Sequence, residues 1–78
     1  MSTIEEFENK CMDIIEKIVS IDIRQNRQGA IKVAEKMYEA AKLKTKNKEV
    51  LDIYARVIKE FNIASDDEYE ALRKQIFS

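Results

Sequence analysis

Seventy-eight residues leave room for one small domain, since single domains run roughly 50–200 residues, and this excludes a two-domain enzyme. The composition, 45 % hydrophobic and 37 % charged with one Gly and no Pro, is that of a folding chain too poor in turn formers for an all-β protein. A net charge of −1 sets up no global field toward nucleic acid or an acidic membrane surface.

Met1 to Glu6 carry neither the basic nor the apolar region of a secretory signal. The longest uncharged stretch, Phe61 to Ser65, is far short of the roughly 20 apolar residues of a membrane span. Cys11 has no partner for a disulfide, which points to a reducing interior. A cytoplasmic chain without a membrane partner is expected.

Ser2 or Thr3 ahead of Glu5 and Glu6 forms a capping box that opens a first helix. Ile4, Phe7, Cys11, Ile14, Ile18 and Ile21 then recur every three or four residues along one face. Adding Met12, Ile15 and Val19 widens the apolar arc to about 180°, broken only by Glu8, where a surface helix needs about 100°. Asp22 with Gln25, or else Asn26, is placed to cap a second helix that runs to Leu43 or Lys44. Its apolar face is centred on alanines, which lets a neighbouring helix approach closely, and Gly29 near its start costs about 1 kcal/mol relative to Ala if interior.

Thr45 or Asn47 caps a third helix carrying Val50, Leu51, Tyr54, Val57, Ile58 and Phe61, which is expected to close near Asn62, a residue tolerant of the left-handed conformation. Ser65 with Glu68 makes another capping box and opens a short last helix, with Tyr69, Leu72 and Ile76 facing inward. No repeat or linker divides the chain. The expected fold is all-α, a small antiparallel bundle of three main helices plus a short C-terminal helix, with residues 1–78 as one domain.

Site chemistry is narrowed by absences. Without His, the Ser-His-Asp and Cys-His nucleophile systems and the common zinc and iron sites cannot be built. Gly29 alone cannot make a glycine-rich phosphate cradle. Glu5 with Glu8, and Glu49 with Asp52, have the spacing of Mg²⁺-holding pairs in all-helical nucleotide hydrolases, yet both sit in first turns where acids serve the helix dipole. No catalytic residue, metal ligand or cofactor is therefore expected, and the hydrolase reading is the weakest alternative.

Charge is unevenly distributed. Residues 21–48 carry eight bases against three acids, while the segments on either side are each net −3. Within 24–48, Arg24 and Arg27 are candidate bidentate anion donors, and Lys42, Lys44, Lys46 and Lys48 candidate positioning contacts, for a nucleic-acid-binding accessory protein. A helix of about 20 residues separates the two groups by about 30 Å, so they do not form one patch.

The aromatic residues fall on inward faces, except that Phe77 beside the C-terminus is placed to anchor a partner. Apolar arcs near 180° on three helices exceed what a lone three-helix bundle covers. This surplus predicts a homo-oligomer or protein partner seated on Met12, Ile15, Val19 and Phe77, and a non-enzymatic interaction module acting as a small regulator or inhibitor.

Overall fold

In the computed structural model, which describes residues 3–78, four α-helices follow in order: α1 (Thr3–Ile21), α2 (Arg27–Lys44), α3 (Lys48–Ile63) and α4 (Asp66–Phe77). No strand occurs among the described residues. The connections span 22–26, 45–47 and 64–65, short enough to send successive helices back past one another. The alanine face of α2 brings it into its closest packing with α3; α1 leans on both, and α4 rests chiefly on α2.

Every helix contributes to one core: Cys11, Ile18 and Val19 from α1, Ala30 and Ala34 from α2, Ile53, Val57 and Phe61 from α3, and Tyr69 from α4. Phe7, Ile14, Leu72 and Ile76 pack around its edge, so the apolar periodicity is realised as a buried seam. Ile21, expected on that seam, is the last residue of α1 and 49 % exposed, because the chain turns away there. The molecule measures 33 × 31 × 20 Å, and its short dimension is two helix diameters of about 10 Å each. It is a two-layer slab.

Local chemistry sets the helix boundaries. The Asn26 side chain accepts the Gly29 N–H at 2.7 Å and starts α2, and the Asn47 side chain accepts the Glu49 N–H at 2.9 Å and starts α3. At α4 the capping box is complete: the Glu68 N–H donates to Ser65 Oγ at 3.1 Å, and the Ser65 N–H donates to Glu68 Oε1 at 2.9 Å. That backbone donor, more than the hydroxyl, holds the Glu68 carboxyl below its ordinary pKa. The box expected of Ser2 or Thr3 lies outside the described residues and side chains.

One boundary expectation is corrected. α3 closes near Asn62 as expected, at Ile63, but it stops on Ala64 in an extended conformation rather than a left-handed one, the Ala64 N–H donating to the Glu60 carbonyl, because the Ser65 cap already fixes the next helix. The left-handed residue falls instead at Gln25 (φ 56°), in the connection between α1 and α2. That conformation costs roughly 1–2 kcal/mol for a residue with a Cβ, and the hydrogen bonds around Asp22 offset it.

Candidate interaction surfaces

At one end of the slab the chain ties itself together around Asp22, which is only 4 % exposed. Its carboxylate accepts the N–H groups of Arg24 and Asn26 at 3.1 Å each, and the Tyr69 hydroxyl from α4 at 2.8 Å. The Tyr69 ring meets Phe61 edge to face, with centroids 5.8 Å apart. Burial, then the hydrogen bond to Asp22 and its negative charge, push the Tyr69 phenol well above its ordinary pKa.

Gly29 is what lets the carboxylate lie so close. A Cβ there would collide with Asp22 Oδ1 and stand 2.8 Å from Arg24 Cβ. In the sequence Asp22 reads only as a helix cap and Gly29 only as a cost to α2. The partner that gives both their place, Tyr69, lies 47 residues from Asp22.

The residues expected at an interface separate. Val19 is completely buried in the chain's own core and leaves the candidate surface. It lies one turn before Asp22, at the end where Tyr69 of α4 is bonded down, so the bundle seals that part of the α1 flank. Ile15, one turn further toward the N-terminus, is half-buried against the core edge. Met12 is 42 % exposed and Ile4 70 % exposed.

At about 100° per residue, Ile4, Met12 and Ile15 fall within about 80° of one another on α1. The flank is thus covered at its C-terminal end and open along its N-terminal half. Phe77 is 57 % exposed, with the Arg73 guanidinium 5.4 Å from its ring centre.

The six candidate anion contacts separate as well. Arg27 is occupied within the fold: its Nε donates to Asp66 at 2.9 Å and its guanidinium to the Phe61 carbonyl at 3.3 Å, one of the unpaired carbonyls at the end of α3. Arg24 is exposed in the first connection, its backbone N–H held by Asp22. Lys42 covers the Tyr38 ring at 4.3 Å and reaches Glu39 at 3.5 Å. Lys44, Lys46 and Lys48 are exposed around the α2–α3 turn, at the opposite end of α2 from the arginines.

Among the described residues no group of three or more His, Cys, Asp or Glu is placed to hold a metal ion. Glu49 of one proposed carboxylate pair forms a 2.8 Å ion pair with Lys10, joining α3 to α1. Cys11 is 7 % exposed, and desolvation raises its thiol pKa, the opposite of what a reactive thiolate requires. A depression of about 350 Å³ between the starts of α2 and α4 is lined by Gln25, Asn26, Arg27, Gln28, Tyr69, Asp66 and Glu70, the last two opposing an anion.

No helix is long and apolar enough to cross a membrane among the described residues. Compared with known protein families, with curated proteins and with solved structures, the chain matches none.

Proposed function

We propose that the chain is a non-enzymatic interaction module, a small cytoplasmic regulator or inhibitor that presents the N-terminal half of α1 to a protein surface and pairs with a second copy of itself. The supporting observation is the apolar flank left open on α1, where Ile4 is 70 % exposed, Met12 42 % exposed and Ile15 half-buried, with Phe77 a second exposed anchor.

The nucleic-acid reading is weakened by Arg27, whose guanidinium is turned to Asp66 and Phe61. Size-exclusion chromatography with light scattering tests the proposal. The unmodified chain elutes as a dimer at micromolar concentration, and the double variant Ile4→Glu, Met12→Glu elutes as a folded monomer. An association left unchanged by both substitutions refutes the assignment to this flank.

A further inference from the structure

We propose that the α2–α3 turn, Lys42 to Lys48, is a docking site for an anionic lipid surface, with Leu43 entering the headgroup layer. This surface is separate from the α1 flank and does not depend on the reading given above. Four lysines occupy alternate positions over seven residues that contain no acid. Two neighbouring carboxylates are accounted for, Glu39 facing Lys42 at 3.5 Å and Glu49 paired with Lys10 at 2.8 Å. The acidic start of α4, from Asp66 to Glu70, lies beyond the far end of α3, whose 16 residues span about 24 Å. That exceeds two Debye lengths of about 8 Å at physiological ionic strength, so the turn acts as a local positive patch despite the net charge of −1.

Folding accounts for Lys42, held over Tyr38 and against Glu39, but not for Lys46, Lys48 or Leu43. Lys44 complements the negative end of α2, but Lys46 and Lys48 flank the Asn47 cap at the positive end of α3, where a cation is unfavourable. Leu43 is 89 % exposed and nine residues from fully buried Ala34, which places it about 180° around the same helix. No repacking of α2 turns it inward. A run of exposed basic residues with an exposed leucine among them fits a flat surface that is anionic outside and apolar beneath. Phosphate backbones favour the bidentate fork of arginine and offer nothing to a leucine, which sets nucleic acid second.

Co-sedimentation of the whole chain with vesicles tests this, comparing pure phosphatidylcholine with vesicles containing about a third phosphatidylserine. The expected result is binding to the anionic vesicles alone, lost at high salt. Replacing Lys44, Lys46 and Lys48 together by Gln weakens it about 100-fold, at about fivefold per lysine. Leu43→Ser weakens it about fivefold while leaving the salt dependence unchanged. A Lys17→Gln, Lys59→Gln, Lys74→Gln control, which removes the same three charges away from the turn, binds as the unmodified chain does, and melting curves verify that each variant is folded. Failure to bind anionic vesicles overturns the proposal. So does binding indifferent to Leu43→Ser, and tight binding to duplex DNA showing that indifference assigns the lysines to phosphates.

Discussion

The two ends of α2 obey different rules. At its start, Asp22, Asn26, Arg27, Gly29, Asp66 and Tyr69 hold the first connection, α2 and α4 together, and buried polar groups find partners from distant parts of the chain. At its end, polar bonds are local apart from the exposed Lys10–Glu49 ion pair. The Asn47 N–H donates to Thr45 Oγ1 at 3.0 Å and the Asn47 side chain caps α3, while Leu43 and three lysines face water. The first end spends its chemistry on folding and the second leaves it available, so substitutions at the two ends are expected to have separable consequences.

The largest expected effect is at Asp22. Asp22→Ala leaves the buried Tyr69 hydroxyl and two backbone donors without their acceptor. It is expected to cost about 3 kcal/mol in urea unfolding, or about 15 °C in melting temperature for a domain of this size. Gly29→Ala follows at about 2 kcal/mol, since the steric clash with Asp22 outweighs the better helix propensity of Ala. A stabilising Gly29→Ala would show that the close approach is unimportant.

Tyr69→Phe removes only one of three donors to the carboxylate and is expected to cost about 1.5 kcal/mol. It also has a pH signature. The folded chain holds the phenol proton more tightly than the unfolded chain does, so this stabilisation is complete below the unfolded pKa of about 10 and drains as pH rises above it. Melting between pH 9 and about 11 in the two proteins checks the sign, with a flatter alkaline limb expected for Tyr69→Phe. The smallest effects belong to the other end, where Leu43→Ser and Lys46→Gln are each expected to change stability by no more than about 0.5 kcal/mol. A larger loss at either position would erase the contrast between the ends.

What the sequence reveals follows the range of the interactions. The Ser65–Glu68 box and the Asn47 cap lie within three residues and are legible directly. The seam through Cys11 and Ile18 is legible because helical period and burial coincide. Asp22 is misread because its decisive donor is on α4, and Val19 because the width of an apolar arc does not say which part of it the chain's own core covers. The exposed lysines are visible in the sequence as a charge run. Their separation from the arginines is legible too, from the length of α2, but the engagement of Arg27 by Phe61 and Asp66 is not, because both partners lie more than 30 residues away.

The functional account rests on the surface left open beside Ile4 and Met12. Sedimentation velocity of the unmodified chain, across a dilution series from high to low micromolar, addresses it without altering a residue. A dimer that dissociates on dilution is the predicted result. A single 9.1 kDa species at every concentration would contradict self-association.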